Sequence, residues 1–329
     1  MPRNPYYSGP PSDHFDGERF FLPGGKRTDK SRADLLRWQF GERNRPAWPV
    51  SFPAGPLDRP PQRVEGARLR VTHVGHASFL VQTRGVNLLI DRVGSERASP
   101  FPWLGPKRVN APGVLLEDLP PLDAVLVSHN HYDHMDKATL VRLVRAHRCP
   151  VLTPLGNDTI LRAMDKDLEA RAFDWGQSTE IGGARIHFEP AQHWSARWLN
   201  DRRMALWCAF VIETGAGKLY HIADTGYGDG EIFRDLFLRH GTMRLAHIPI
   251  GAYEPRWFMR HQHIDPEEAV RIFQDVDATQ AIGHHWGTFR LTDEAIDEPP
   301  KRLAIALERA GIAPEKFRAS RPGEVVEIV

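Results

Sequence analysis

Short apolar runs, separated by turns that contain Gly, recur along the chain from residue 67 onward and predict β-strands. The first three runs, Leu69 to His73, Ser78 to Gln82 and Val86 to Asp91, are joined by the turns VGHA and TRGV and predict an antiparallel meander. The later runs predict strands over Ala124 to Val127, Val151 to Thr153, Ala184 to Ala191, Met204 to Glu213, Leu219 to Asp224, Leu245 to Ile250, Gln280 to His285 and Glu324 to Val329.

Segments with helical periodicity lie between many of these runs. Pro266 to Val276 has a clear start, because Asp265 can cap a helix whose first position is Pro266. The other helices predicted in this part of the chain are Lys137 to His147, Asp158 to Met164, Glu231 to Arg239 and Pro300 to Ala310.

Residues 1–60 have a different composition, rich in Pro, Gly, Arg and aromatic residues. One helix is predicted from Ser31 to Phe40, with Ser31 as its cap and Asp34 three residues further on. The side chains predicted to dock this helix are Leu35, Leu36 and Trp38. We therefore predict an arm over residues 1–60 that packs on a domain over residues 61–329. A disordered tail is the alternative, which is disfavoured by the aromatic residues Tyr6, Phe15, Phe20 and Phe21.

The composition, with 41% hydrophobic and 26% charged residues, is that of a globular protein. Lys and Arg total 43 against 42 for Asp and Glu, a net charge of +1, so no affinity for nucleic acid is expected. Neither a secretory signal nor a run of about 18 apolar residues is visible, so we expect a cytoplasmic protein, with peripheral contact to the inner membrane face as an alternative. Cys149 and Cys208 lie in apolar surroundings and are predicted to be buried free thiols.

The segment Ala124 to Asp136, AVLVSHNHYDHMD, carries the strongest chemical signal. Residues two apart in an extended chain point the same way, so His129 and His131 can reach one metal ion together. Asp133 and His134, at the turn into a helix, can face a second ion beside it. Imidazole nitrogens with a carboxylate suit zinc and related borderline metals, whereas packing alone does not explain four such residues in six positions.

Three later strands also end in residues of this kind: His193, Asp224 and His285. A single His or Asp at a strand end is a weak signal, because most such residues are structural. Together with His129 after the Ala124 strand, they predict strands that lie side by side with their ends at one rim of a sandwich. A site for two ions needs such an arrangement.

The spacing H-x-H-x-D-H resembles the metal-binding signature of the metallo-β-lactamase superfamily. The resemblance implies an α/β fold, namely a four-layer αβ/βα sandwich with two mixed sheets, and a two-metal hydrolase chemistry. Asp91 matches the aspartate that steadies the histidine loop in that superfamily. His76, in the turn GHAS, has either a similar role or that of an ordinary turn histidine.

Longer segments resemble the N-acylphosphatidylethanolamine-hydrolysing phospholipase D family. They are SHNHYDHMD, Gln192 to Ser195, ADTGY, IPIGAYEPRWFM, HIDPEEAV and HWGTF, and they span most of the chain from Arg70 onward. The N-terminal segment SDHFDGERFF is similar to bacterial members. One departure is Arg92, since the family usually has Pro after the aspartate.

This resemblance implies two Zn²⁺ ions, with Mn²⁺ or Fe²⁺ as alternatives. The implied ligands are His129, His131 and His193 for the first ion, Asp133, His134 and His285 for the second, and Asp224 as the bridge. His284 is the alternative to His285, which precedes Trp-Gly-Thr-Phe as the family's ligand does. The implied catalytic residues are Asp133 and Asp224, which would also handle protons, and His263 near the substrate. The alternative for His263 is an ordinary residue at the start of a helix.

The implied reaction is hydrolysis of the phosphodiester of N-acylphosphatidylethanolamine-like lipids by a hydroxide that bridges the two ions. The alternative is a metal-dependent hydrolase of a small cytoplasmic ester, lactone or phosphodiester on the same fold. Trp194 to Leu199 and Arg256 to Arg260 suit a lipid headgroup at a membrane, or they are loops packed over the core. The missing export signal disfavours a β-lactamase, the few carboxylates disfavour a di-iron electron-transfer site, and the complete ligand set disfavours a scaffolding protein.

Overall fold

The computed structural model describes residues 4–25, 28–41 and 45–328. Residues 1–3, 26–27 and 42–44 of the predicted arm lie outside the described residues. The same holds for Val329, the last residue of the predicted C-terminal strand.

Two seven-stranded sheets form the centre of the fold. The first sheet contains, side by side, β14 (Val325–Ile328), β1 (Leu69–Gly75), β2 (Ser78–Thr83), β3 (Val86–Ile90), β4 (Ala124–Leu126), β5 (Val151–Pro154) and β6 (Ala170–Phe173). The second contains β13 (Phe317–Ala319), β12 (Ala281–His284), β11 (Leu245–Pro249), β10 (Gly217–His221), β9 (Ala209–Thr214), β8 (Ala184–Glu189) and β7 (Ser178–Ile181). Both sheets are mixed, because β3 to β6 and β10 to β13 pair in parallel while the other neighbours are antiparallel.

Helices cover the outer faces of both sheets. The described helices are α1 (Arg32–Phe40), α2 (Lys137–His147), α3 (Asn157–Met164), α4 (Glu231–His240), α5 (Arg256–Met259), α6 (Pro266–Asp275) and α7 (Glu298–Ala310), with 3₁₀ turns at Pro23–Gly25 and Leu116–Asp118. Leu140 of α2 and Leu161 of α3 pack on the first sheet, while Ile272 of α6 and Leu303 of α7 pack on the second. A separate apolar cluster fills the space between the sheets. The four layers confirm the predicted fold class.

The predicted strand from Met204 to Glu213 is wrong in its first half, because only β9 pairs within the sheet. The backbone N–H of Leu206 donates to Leu155 O at 2.8 Å, and that of Cys208 donates to Ser128 O at 3.0 Å. This apolar run is therefore buried against the loops that follow β5 and β4. Strands β6, β7 and β13 and helix α5 were not predicted, since such short segments carry little periodicity.

The described N-terminal residues contact the domain at several points. Phe15 and Phe20 are buried in the same apolar cluster as the outer face of the second sheet. Asn4 Nδ2 donates a hydrogen bond to Met204 O at 2.6 Å. The division of the chain into an arm over residues 1–60 and a domain over residues 61–329 stays a prediction.

Helix α1 begins as predicted, with reciprocal capping hydrogen bonds between Ser31 and Asp34. Its predicted docking face is wrong for two residues, because Leu35 is 47% and Leu36 is 59% exposed. Only Trp38 docks, with its ring stacked on that of Phe258 at a centroid distance of 5.0 Å. The apolar residues of this nine-residue helix are spread around its circumference and do not form one face, so the helix cannot bury them together.

Both cysteines are free and buried, as predicted. Cys149 packs between the first sheet and its helices, and Cys208 packs between the two sheets. Across the described ranges, no helix has both the length and the apolar character needed to cross a membrane.

Candidate metal centre

The loop with the first four predicted ligands, Ser128 to Asp136, follows β4 and is called here the histidine loop. Because β3 and β4 are parallel neighbours, the segments that follow them leave the same edge of the first sheet. Asp91, directly after β3, accepts hydrogen bonds from the backbone N of Ser128 at 2.8 Å and from Ser128 Oγ at 2.5 Å. The structure thus places Asp91, fully buried, behind the histidine loop.

Three imidazole nitrogens converge in a first group. His131 Nδ1 lies 2.9 Å from His129 Nε2 and 3.2 Å from His193 Nε2. Asp224 Oδ2 lies 3.5 Å from His193 Nε2 and 3.8 Å from His129 Nε2. These four residues are the ones predicted around the first ion.

The hydrogen bonds on the outer side of this group determine which nitrogens carry hydrogen. His129 Nδ1 donates to Ser128 Oγ at 2.9 Å, because the hydroxyl hydrogen is already given to Asp91. His193 Nδ1 donates to Gln262 O at 2.9 Å. Both Nε2 atoms therefore present lone pairs, and His131 Nδ1 can supply at most one hydrogen to them. Lone pairs that face one another beside a carboxylate fit a borderline cation such as Zn²⁺.

A second group lies beside the first. His285 Nε2 lies 3.0 Å from Asp224 Oδ1 and 3.4 Å from Asp133 Oδ2. His134 Nε2 lies 3.3 Å from Asp224 Oδ2 and 3.7 Å from Asp133 Oδ2. The other ring nitrogen, His134 Nδ1, donates to Asp91 Oδ2 at 2.7 Å, so Nε2 is free to face the carboxylates. Asp224 is shared by the two groups, which is the position predicted for a bridge.

Burial and neighbouring charges divide the histidines into two classes. Burial lowers the pKa of His129 and His193 well below the usual value and that of His131 to about 3, so these rings are neutral at pH 7. Burial also disfavours charge on His134 and His285, but Asp224 and Asp133 outweigh it. They raise the pKa of His285 to about 9 and that of His134 well above its usual value.

The carboxyl groups of Asp133 and Asp224 are ionised at neutral pH. Burial would raise the pKa of each, but nearby imidazoles, above all His134 for Asp133 and His285 for Asp224, hold both values well below the usual range. Two buried carboxylates among five histidines give the site both the charge and the donor atoms that a pair of divalent cations requires.

The two adjacent histidines at the end of β12, His284 and His285, point to different places. His284 Nε2 donates to Ile222 O at 2.9 Å, away from the cluster, whereas His285 faces both carboxylates. The backbone of His285 has φ +64°, and Gly251 packs against its carbonyl so closely that a Cβ on Gly251 would clash at 2.3 Å. This backbone turn directs His285, and not His284, toward the two carboxylates.

His263 and His76 complete the surroundings of the cluster. A ring nitrogen of His263 lies within 4.8 Å of ligand-type atoms of both Asp224 and His285. Burial lowers the pKa of His263 to about 4, so its ring is neutral at pH 7. His76 Nε2 lies 3.2 Å from Asp133 Oδ2, and its ring centroid lies 4.1 Å from that of His285. The sequence left the role of His76 open, and its place in a Gly-containing turn before a strand was the only signal.

The strand ends meet between the sheets rather than within one sheet. Strands β8, β10 and β12 run in the same direction in the second sheet and lead to His193, Asp224 and His285. His129, in contrast, follows β4 of the first sheet. The expectation that all four strands lie side by side is therefore wrong, because the site lies where the edges of two facing sheets meet.

Comparison with known proteins agrees with this geometry. A family model described as "Beta-lactamase superfamily domain" matches residues 86–286. An uncharacterized protein of Mycobacterium tuberculosis is 37% identical over 291 residues, which cover 85% of this chain and 75% of the relative. The N-acyl-phosphatidylethanolamine-hydrolyzing phospholipase D 1 of Caenorhabditis elegans is 37% identical over 270 residues, 79% of this chain and 76% of that protein.

Among solved structures, a metallo hydrolase from the archaeon Ignicoccus hospitalis superposes with a TM-score of 0.58 at 20% identity, covering 80% of this chain and 99% of that one. Such a likeness shows the fold. The family match, the relatives and the paired clusters of histidine and aspartate together establish that the chain belongs to the metal-dependent hydrolases of the metallo-β-lactamase superfamily, with homology to the N-acylphosphatidylethanolamine-hydrolysing phospholipases D.

Proposed function

We propose that the protein is a binuclear zinc-dependent phosphodiesterase of phospholipase D type and a bacterial-type member of that family. The observation that carries the proposal is the pair of converging groups that share Asp224. In this proposal His129, His131 and His193 would hold the first ion, Asp133, His134 and His285 would hold the second, and Asp224 would serve both. Mn²⁺ or Fe²⁺ would suit the same nitrogen and oxygen atoms.

When bound, two such ions polarise the phosphoryl oxygens and lower the pKa of water. The surrounding residues prepare the site for that chemistry. Asp91 and Ser128 hold the rings of His134 and His129 with their Nε2 atoms facing inward. Gln262 O does the same for His193. These contacts orient the ligands before an ion arrives, which lowers the cost of binding it.

Proton handling falls to the groups that face the cluster. Asp133 and Asp224 are ionised at neutral pH and can accept a proton from the attacking water. His263 is neutral at pH 7, so it acts as a hydrogen-bond partner of the substrate or leaving group rather than as a fixed positive charge. No serine or cysteine nucleophile is required.

The lipid substrate rests on homology and on part of the surface. The C. elegans relative is named for N-acylphosphatidylethanolamine hydrolysis, and we propose a substrate of that class for this chain. Trp198 is 61% and Leu199 is 100% exposed, which suits peripheral contact with a membrane face. In the segment Arg256 to Arg260, Phe258 and Met259 are buried, so Trp257 is the one large apolar side chain of that segment left for contact with a membrane.

The proposal is tested by metal analysis together with turnover. We would measure the zinc content of the purified protein and its hydrolysis of N-acylphosphatidylethanolamine in mixed micelles. A soluble diester, bis(p-nitrophenyl) phosphate, would be assayed in parallel, and both assays would be repeated after chelation and after zinc is restored. About two zinc ions per chain and chelator-sensitive cleavage of the lipid are expected.

The other outcomes separate the parts of the proposal. Two ions with cleavage of the soluble diester alone would overturn the lipid substrate and favour a small cytoplasmic ester, lactone or phosphodiester. Absence of bound metal, with no turnover in metal-supplemented buffer, would overturn the binuclear site itself.

A further inference from the structure

Four histidines outside the predicted ligand set are buried in the sandwich behind the metal centre. They are His73, His221, His247 and His284, with exposed fractions of 0–1%. All four rings surround Phe79, at centroid distances of 4.0 Å for His247, 4.8 Å for His73, 5.4 Å for His284 and 5.8 Å for His221. Buried polar rings in an apolar core are costly unless they are paired, so each needs an explanation.

Two of these histidines face each other across neighbouring strands. His221 ends β10 and His247 lies in β11, and the parallel register places them directly side by side. Their Nδ1 atoms are 3.2 Å apart, so one must donate a hydrogen to the other. The other nitrogen of His221, Nε2, makes no hydrogen bond and lies 3.9 Å from Asp91 Oδ2.

The position of Asp91 determines the direction of this hydrogen bond. If His221 carried its hydrogen on Nδ1, the lone pair of Nε2 would face a buried carboxylate and be repelled by it. With the hydrogen on Nε2, the N–H dipole of His221 is directed at Asp91, and His221 Nδ1 accepts from His247 Nδ1. The distance of 3.9 Å is longer than a hydrogen bond, so the contact acts through charge and dipole.

Asp91 in turn connects this pair to both halves of the metal centre. It accepts from His134 Nδ1 at 2.7 Å and from Ser128 Oγ at 2.5 Å, and Ser128 Oγ accepts from His129 Nδ1 at 2.9 Å. One carboxylate therefore keeps the hydrogen of both rings on Nδ1. In this arrangement Nε2 of His129 is left as a lone pair, and Nε2 of His134 is turned toward the carboxylates of the metal centre.

We propose that His221 and His247 are positioning residues that hold Asp91 in place and thereby set the orientation of His134 and the tautomer of His129. The inference rests on the proposed function only in that these two histidines are taken as metal ligands. Its physical content is a chain of oriented dipoles, His247 to His221 to Asp91 to His134, that runs from the core of the sandwich to the metal centre.

The rival explanation is packing alone, since both rings lie against Phe79. Three substitutions distinguish the two. His221→Phe keeps a ring of similar shape and removes both nitrogens. His221→Gln restores an N–H donor at the position of Nε2. His73→Phe is the matched control, because His73 stacks on the same Phe79 but bonds to Ser320 Oγ and His76 O instead of Asp91.

The first measurement is the zinc affinity of the metal-free protein by competition with a chelator. Loss of a partner one step behind a ligand weakens metal binding by about 10- to 100-fold. For His221→Phe, one step further away, we expect about a 10-fold loss, with most of it recovered in His221→Gln and no change in His73→Phe. In an Asp91→Asn background, His221→Phe should cause no further loss.

The second measurement needs neither metal nor activity. Long-range ¹⁵N–¹H correlation on histidine-labelled, metal-free protein reports which nitrogen of the neutral ring of His129 carries hydrogen. The Nδ1–H form is expected in the wild type and in His73→Phe, and a mixture of forms in His221→Phe. If His221→Phe does not fold, His247→Phe is measured in its place, with the same but weaker changes expected.

Wild-type zinc affinity together with an unchanged His129 tautomer in the His221 or His247 variants would overturn the proposal and leave these residues as core packing. Failure of the proposed function is distinguishable. It would appear as a wild-type protein that binds no zinc, while the tautomer measurement on the metal-free protein would still decide the role of His221.

Discussion

Replacing Arg197 by alanine is expected to loosen the histidine loop. Arg197 Nη1 donates to Asn130 O at 2.9 Å and to Met135 O at 2.8 Å, near the two ends of that loop. The guanidinium also lies 4.0 Å from the ring centroid of Tyr132, whose hydroxyl donates to Arg197 O at 3.0 Å. One side chain therefore contacts the histidine loop near both of its ends and at Tyr132 in its middle.

The magnitude follows from these contacts. A hydrogen bond from a charged group contributes about 1.5–3 kcal/mol, and a cation over an aromatic ring contributes about 0.5–2 kcal/mol. Because Arg197 is half-buried and water can replace part of its contacts, we take the lower end and expect Arg197→Ala to reduce the free energy of unfolding by about 3 kcal/mol. Arg197→Lys keeps the charge but is shorter and lacks the planar guanidinium that lies over Tyr132, so about half of that loss is expected.

The assay combines urea unfolding of the metal-free protein with zinc affinity by chelator competition. Because Tyr132 lies between the predicted ligands His131 and Asp133, a loose loop should weaken zinc binding by about 10-fold. Arg185→Ala is the control, since its side chain is exposed and lies 4.0 Å from Glu180. The free energy of unfolding of Arg185→Ala should stay within about 0.5 kcal/mol of the wild-type value. An Arg197→Ala protein with the stability and zinc affinity of the wild type would refute this reasoning.

Four further predictions concern single groups. His131→Ala should lose bound zinc and turnover while its circular dichroism spectrum is unchanged, and retained turnover would contradict the two-metal proposal. His263→Phe should lower kcat about 10-fold with full zinc content, because it removes a hydrogen-bond partner of the substrate or leaving group, which contributes about 0.5–1.5 kcal/mol, and no ligand; an unchanged kcat would leave His263 with a structural role. Asp174 and Asp13 raise the pKa of His14 against the opposing effect of burial, so its stabilising contribution is present below the unfolded pKa of about 6.5 and is lost as pH rises through the folded value. The destabilisation caused by His14→Phe should therefore be larger at pH 6 than at pH 9 in thermal unfolding, and equal values would count against this ion pair. Burial raises the pKa of Cys149 to about 11 and that of Cys208 well above its usual value, so neither thiol should react with Ellman's reagent at pH 8 until the protein is denatured.

Local features of the chain were predictable because the interacting residues are neighbours in sequence. The cluster His129, His131, Asp133 and His134 follows a short apolar strand, and its four members lie within six residues at the turn into α2, so the sequence alone shows that they are near one another. The start of α6 at Asp265 was predictable for the same reason, since its capping partner lies three residues along the helix.

Several assignments came from family resemblance rather than from local pattern. His193 is 62 residues from His131, yet their ring nitrogens lie 3.2 Å apart. Spacing within the sequence could not have paired them, because any of several strand-end residues would have fitted equally well. The resemblance also favoured His285 over His284, and the structure gives the physical basis in the backbone turn at φ +64°.

The sequence by itself determined the chemistry available at the site, the class of most elements and the presence of a compact cluster of predicted ligands. Only the tertiary structure decided that two facing sheets supply the centre, that His76 lies beside Asp133, and that His221 and His247 stand in register behind Asp91. It also decided that Met204 to Cys208 is buried without joining a sheet. The reason is physical, because a side chain's type and its near neighbours are local properties, whereas strand order, register and the facing of two sheets depend on contacts between residues far apart in the chain.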